Sequence, residues 1–462
     1  MNTIGTLLLA ALLVAACGPS GTGDDDLIDA PPSDGVQPPI LVPGGGVTSA
    51  PLAGALNVYV IEPGGVTPIA GAQVHLGGAG DALQQDATTD ATGLASFRDA
   101  GLTGGLTVTA TAAGRTAATW IGVTGGNVTI PLARRPDSPA TARASGTIAG
   151  WNNLPAPAFG HYTLGLVTYS FTAEVGAADN RLTQATDGNG APLNTCVNTG
   201  LSNSCAWQLV TRTGPQLHTA VIVDGNAHGT TDPSDDTYTL IGYAAGAPVT
   251  LTAGQQLTGE SLTMVPAASQ TPLTVTFPGA APGLPTALAI PMLDTGATGQ
   301  IVFPLPAVTS AQRSTQVLAP SGAFAGSYRL VGLATPSATA TAPYSTSFTA
   351  VANLASASLP SWLAPPTGLS TSGGTFGFTA PGASVAYANF STGGSAAWTV
   401  TLLDGVHPFR LPAIAPDPLG AGTVTLDVTA ADVPGFAASD FRVDEVAASL
   451  ARASGATTTF TR

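Results

Sequence analysis

Six polar residues crowd the stretch that follows TAVIV: Asp224, Asn226, His228, Asp232, Asp235 and Asp236 fall within thirteen positions. Oxygen ligands at that density could hold calcium, which takes about six to eight of them. Their spacing is not that of an EF-hand loop, and Asp, Asn and Gly also build ordinary turns. Calcium held by Asp224, Asn226, Asp232, Asp235 and Asp236 and a plain solvated loop therefore stand side by side as readings. The smaller Asp187-Gly188-Asn189-Gly190 group reads as a hairpin turn. Trp151, which opens WNNLPAP, and Trp207 are the aromatic candidates, because an exposed indole offers a flat apolar face to a sugar ring. Cys196 and Cys205, in CVNTGLSNSC, predict a local disulfide closing a ten-residue loop, worth about 2.7 kcal/mol on the chain-entropy view. Apart from Cys17 there is no further Cys, and no sequence-adjacent His, to complete a tetrahedral metal site.

Catalytic constellations are missing. None of His75, His161, His218, His228 and His407 stands in His-x-x-Glu spacing, and the four Glu of the chain, Glu62, Glu174, Glu260 and Glu445, are all out of ligand spacing to a His. A nucleophile elbow, a P-loop and a dinucleotide-binding glycine fingerprint are absent too. The chain is expected not to be an enzyme. The enzymatic alternative is an exported hydrolase whose site is assembled from distant residues, and its mark would be a dense polar pocket around one His.

These residues sit in an unusual composition. Of 462 residues only 9% are charged, all 13 basic ones are Arg, and 27 acidic residues give a formal net charge of -14. Nucleic acid is excluded as a partner on that balance. With 57 Gly and 38 Pro among abundant Ala, Thr and Val, long charged helices and coiled coils are disfavoured and small-residue β-sheet is favoured.

Residues Thr3 to Ala16 form an apolar run too short to span a bilayer, and it ends in Val14-Ala15-Ala16-Cys17. This terminus resembles the bacterial lipoprotein lipobox. The resemblance implies a signal peptide over 1–16, lipidation of Cys17 and insertion of the acyl chains in a lipid bilayer. The first 17 residues lack the Arg or Lys of a usual n-region. Gly18 in place of Asp after the Cys implies, by bacterial sorting rules, the outer membrane. From Cys17 to residue 50 the chain is linker, rich in Gly, Pro and Asp and too poor in apolar groups to fold.

Beyond the linker, short β-favouring runs such as NVYVIE, AQVHLG, LTVTATA and NVTIPL alternate with Gly, Pro and Asp turns, the pattern of a β-sandwich. Pro68-Ile69-Ala70-Gly71-Ala72-Gln73-Val74, Thr88-Thr89-Asp90-Ala91-Thr92-Gly93 with Phe97, and Leu106-Thr107-Val108-Thr109-Ala110 before Gly114 resemble the carboxypeptidase regulatory-like domain, a transthyretin-like sandwich grouped with carbohydrate-binding-like folds. The resemblance implies a strand opening after the first element and a hairpin turn at the second. It departs at Gly114-Arg115, where the family has Gly-Tyr. The expected organisation is all-β: serial Ig-like or transthyretin-like sandwiches over 51–135, 142–268 (with the disulfide loop) and 270–462 (one module or two). Two echoes support modularity: LTGESLTMVPA from Leu257 repeats VTGGNVTIPLA from Val123, and YTLIGYA from Tyr238 recurs as YRLVGLA from Tyr328. Trp120 and Trp398 read as core, and DFRVDEVAASLAR from Asp440 suits either a helical turn or a strand. The functional expectation is a non-enzymatic cell-envelope lipoprotein, lipid-anchored in the outer membrane, that presents β-sandwiches for adhesion, scaffolding or ligand binding. The alternative is attachment to polysaccharide.

Overall fold

The computed structural model describes residues 38–48, 51–135, 140–171, 185–187, 192–200, 204–230, 237–266, 271–279, 281, 283–302, 308–309, 314–319, 327–337, 340, 342–351, 355–405 and 407–462. The signal segment, Cys17 and the linker up to residue 37 lie outside this set, as do Asp232, Asp235, Asp236 and the 188–190 turn. Nearly all the regular secondary structure of the described chain is β-strand, in several sheets. Strands show the period-two burial that small apolar and Thr residues encode: Val424, Leu426, Val428 and Ala430 of Thr423–Asp432 face the core while Thr425, Asp427 and Thr429 between them are half-exposed. The undecided DFRVDEVAASLAR segment splits between both options, a strand at Phe441–Arg442 and a helix over Val443–Ser449.

Contacts group the described chain into two units. One comprises the described residues of 140–340 and 346–361, the other those of 38–135, 342–345 and 362–462. The grouping is discontinuous where the sequence suggests a simple series, because sheet pairing reaches past sequence neighbours. We call these the mid-chain unit and the terminal unit.

In the terminal unit, residues 46–131 form two facing four-stranded sheets. One runs in the order Gly46–Val47, Asn127–Pro131, Ala55–Ile61, Leu94–Arg98, with Phe441–Arg442 added at its edge. The other runs Ala117–Val123, Leu106–Thr111, Gln73–Leu76, Gln85–Thr88. Gln73–Leu76 opens directly after the turn at Ala70 and Gly71, as the family resemblance implies. The Asp90-to-Gly93 element corrects that resemblance. It is a crossing between sheets and not a hairpin, since Gln85–Thr88 pairs with Gln73–Leu76 and Leu94–Arg98 pairs with Ala55–Ile61. The Asp90 carboxylate holds the turn by accepting from the Thr92 and Leu94 amides.

The C-terminal strands Arg452–Thr461, Thr423–Asp432, Val385–Thr392 and Ser395–Leu402 continue the second of these sheets. Ser395–Leu402 lies parallel to Ala117–Val123, with Trp398 opposite Ala117 and Val400 opposite Thr119. Ala117–Val123 is consequently buried along its whole length, as parallel-paired strands covered on both faces are. Beneath the C-terminal strands Phe376, Phe390, Trp398 and Phe460 pack in one apolar cluster.

The mid-chain unit contains a seven-stranded sheet in the order Thr195–Asn198, His161–Tyr169, His218–Asn226, Thr237–Ala245, Gln256–Pro266, Thr141–Ala149, Ala206–Arg212. A second set of strands, including Thr271–Thr276, Thr286–Asp294, Ser327–Thr335 and Ser356–Ser358, follows it. Near residue 361 the chain passes from the mid-chain unit to the terminal unit.

The VTGGNVTIPLA echo has a structural counterpart. Asn127–Pro131 runs parallel to Ala55–Ile61 with Val128 opposite Val58. At the equivalent place Gln256–Pro266 runs parallel to Thr141–Ala149 with Leu262 opposite Ile148. Ser356–Ser358 repeats the arrangement against Thr271–Thr276. Each segment closes by laying its last strand beside its first. The second echo holds less closely: a register shift bulges the Thr237–Ala245 strand beside Gly242, whereas Gly332 sits in regular register opposite Ala289.

Candidate functional site

The predicted disulfide is present. Cys196 lies in one edge strand of the seven-stranded sheet and Cys205 immediately before the other, with 5.3 Å between their Cα atoms. The Gln208 amide donates to the Leu193 carbonyl at 2.8 Å across the same seam. The bridge therefore does more than close a loop, because it ties together the two edges of a sheet that curls onto itself.

Inside this curl lie the two tryptophans proposed as sugar platforms. Both are buried, Trp151 at 2% and Trp207 at 1% exposure, so neither presents a face to a ligand. The turn-like setting of Trp151 is real, a 3-10 turn over Trp151–Asn153. Its ring points inward, however, onto Gly165, where any Cβ would come within 2.9 Å of the indole. Trp207 packs edge-on against His218, with ring centroids 5.9 Å apart.

His218 and Glu260 form a buried pair that sequence spacing did not reveal. His218 Nδ1 lies 2.6 Å from Glu260 Oε2, with side-chain exposures of 0% and 8%. They are 42 residues apart and meet because the sheet brings their strands together. The Gln256–Pro266 strand carries a register shift between Leu257 and Glu260. The signal available in sequence was a lone Glu in an otherwise uncharged β run. His218 Nε2, Glu260 Oε1 and the indole nitrogens of Trp151 and Trp207 are buried without hydrogen-bond partners. The pair is sealed from solvent, so its imidazole is out of reach of an external substrate.

Of the acidic loop, Asp224 and Asn226 are described. Asp224 Oδ2 is engaged by His161 Nδ1 at 2.7 Å, on the neighbouring strand. The Asn226 side-chain oxygen accepts from the His228 amide, which makes it a turn former. Among the described residues no group of three or more His, Cys, Asp or Glu is placed to hold a metal ion.

A cleft of about 290 Å3 opens in the terminal unit. Asp81, Thr107 and Ile121 line it from the N-terminal strands, Thr375, His407 and Arg410 from the C-terminal ones. His407 Nε2 faces Asp404 Oδ1 at 2.8 Å and its Nδ1 faces the Pro408 carbonyl at 3.1 Å. Two acceptors require two donors, which is the imidazolium form. Burial works against that charge, but the Pro408 carbonyl and Asp404 outweigh it and hold the His407 pKa above its ordinary value. Asp404 itself rests on Gly122, whose φ is +84° and where a Cβ would fall 2.4 Å from the Asp404 carboxyl carbon. Only glycine satisfies both demands.

On the other side of the 46–131 sandwich Arg115, the departure from the family's Gly-Tyr, forks onto Glu62 and also donates to the Leu132 carbonyl at 3.0 Å. The Arg115 hydrogen bond holds the Glu62 carboxyl below its usual range.

The fold and these sites define an all-β protein of several sheet modules. No known protein family matches the chain, and no curated protein does. Among solved structures it is similar to the Bacillus anthracis TIE protein, at 10% identity over 67% of this chain and 51% of that one, with a TM-score of 0.16. It is similar also to BcpA, the major pilin subunit of Bacillus cereus, at 9% identity over 66% of this chain and 99% of that one, TM-score 0.16. A Salmonella alpha-2-macroglobulin mutant matches at 11% identity over 92% of this chain and 31% of that one, TM-score 0.13. The chain thus spans about half the length of the TIE protein.

Proposed function

We propose that this chain is a non-enzymatic cell-envelope lipoprotein, anchored in the outer membrane through acylated Cys17, that presents its β-modules for adhesion, scaffolding or ligand binding. The lipobox-like terminus and the acidic linker support the address. The carboxypeptidase regulatory-like identity of the first sandwich belongs to the same proposal, and the turn after Pro68 and the strand order of 55–131 support it. The observation that carries the display role is the parallel pairing of Ser395–Leu402 with Ala117–Val123. Modules at opposite ends of a long chain share one sheet and one core, which makes a stiff body for surface loops instead of beads on a string.

The test is fractionation of cells expressing the wild-type chain or Cys17→Ser, followed by protease treatment of intact cells. Membrane partitioning that Cys17→Ser abolishes, with surface cleavage of the wild type, supports the reading. A Cys17→Ser variant that still partitions with membranes overturns the anchor.

A further inference from the structure

We propose that the cleft between Gly78–Asp81 and Thr375/His407–Arg410 binds a small hydroxylated carboxylate, the chemistry of a uronic acid residue. The inference goes beyond display, since it requires only the folded terminal unit and holds whether or not Cys17 is acylated.

The argument starts from Arg410. Its Nε donates to Thr375 Oγ1 at 2.9 Å, which fixes the plane of the guanidinium. Among the described residues nothing engages its Nη1 and Nη2, and it forms no ion pair. An anchored guanidinium with a vacant donor edge matches a carboxylate by two parallel hydrogen bonds. Beside it, Asp81 spends Oδ2 on the Gly78 amide at 2.7 Å. Its other oxygen remains an acceptor for a ligand hydroxyl. Thr107 adds a hydroxyl that both donates and accepts, and Ile121 supplies an apolar wall.

Charge selects the class of ligand. His407 is neutralised by Asp404, so the cleft holds one uncompensated cation and one uncompensated anion, Arg410 and Asp81. A neutral sugar leaves the Arg410 edge unmatched. A densely charged anion such as a phosphate brings more negative charge against the Asp81 carboxylate than the single Arg410 guanidinium offsets. A molecule with one carboxylate and several hydroxyls answers both. The volume lies near the lower end of small-molecule sites, about 300 Å3, which suits a single sugar ring. Position agrees, because the cleft forms where two sheet modules meet inside one unit, a common place for ligand sites.

The experiment is calorimetric titration of the full chain in detergent micelles with galacturonate, and with galactose as the neutral control. Galacturonate should bind and galactose should not. Arg410→Gln should weaken galacturonate by about tenfold or more, the loss expected for a charged hydrogen-bonded pair, and Arg410→Lys should fall between because it cannot form the paired contact. Circular dichroism melting of both variants should match the wild type, since the lost bond to Thr375 is at the surface. Equal affinity for galactose, no heat with galacturonate at millimolar concentration, or unchanged binding in Arg410→Gln would each overturn the proposal. Membrane fractionation of Cys17→Ser is independent of all these outcomes, so the anchor and the cleft can fail separately.

Discussion

The indole nitrogen of Trp398 donates to Thr119 Oγ1 at 2.8 Å across 279 residues of chain, and Thr119 Oγ1 lies 2.8 Å from Thr109 Oγ1 in turn. All three side chains are buried. A short polar relay therefore fastens the C-terminal strands to the first sandwich within an otherwise apolar layer. Thr119→Val keeps the shape and leaves the Trp398 N–H without its acceptor. Chemical denaturation should report a loss of about 1–3 kcal/mol, the cost of one orphaned buried donor. An unchanged midpoint would mean that the relay contributes nothing to the joint.

The seam disulfide predicts two observations. Thiol counting on denatured, unreduced mature protein should find no free thiol at Cys196 or Cys205. The Cys196→Ala/Cys205→Ala double variant should lose up to about 2.7 kcal/mol on the loop-entropy view, with Trp207 fluorescence shifting as the sheet edges part. Two reactive thiols in the wild type would dismiss the bridge.

Arg212 is buried, yet its guanidinium donates to the carbonyls of Ser170, Thr213, Pro215 and Thr298. It staples the seven-stranded sheet to the 296–298 turn of the strands that follow. Lysine keeps the charge but cannot reach four acceptors in one plane. Arg212→Lys should cost about 2–4 kcal/mol by thermal or denaturant unfolding of the mid-chain unit. A variant as stable as wild type would show that the staple is dispensable.

Acid should loosen the first sandwich through Glu62. Its carboxyl pKa is depressed in the folded state, so the Arg115 pairing contributes stability above the unfolded carboxylate pKa and loses it as pH falls through the depressed folded value. Glu62→Gln should cost about 1–2 kcal/mol near neutral pH, the partial exposure of the pair keeping the figure small. The same variant should flatten the acid limb of the stability profile. If its acid limb coincides with that of the wild type, Glu62 is not the group responsible.

Local features were legible in the sequence. Alternation in LTVTA and TVTLDV predicts strands, Trp120 and Trp398 sit in apolar runs and are core, and two Cys nine positions apart are bridged. Long-range pairing left no such trace. Nothing in AATWIGV announces that its free edge is filled by a strand some 280 residues later, because strand pairing is decided by packing and register and not by local propensity. The same gap explains the sites. Two Asn and a Pro beside Trp151 suit either an exposed or a buried ring, and it is Gly165 on a separate strand that leaves room for the ring to turn inward. His218 and Glu260, and likewise Thr375 and Arg410 with Asp81, meet only once the sheets are assembled.

The parallel joint also sets a schedule. Ala117–Val123 is synthesised long before Ser395–Leu402, and at about 5–20 residues per second the 279 positions from Thr119 to Trp398 take roughly 14–56 s to emerge. Through that interval an apolar strand waits with one edge unpaired, open to the wrong neighbour. The last quarter of the chain supplies the strand that fills this edge, so the terminal unit closes only once the C-terminal strands are made.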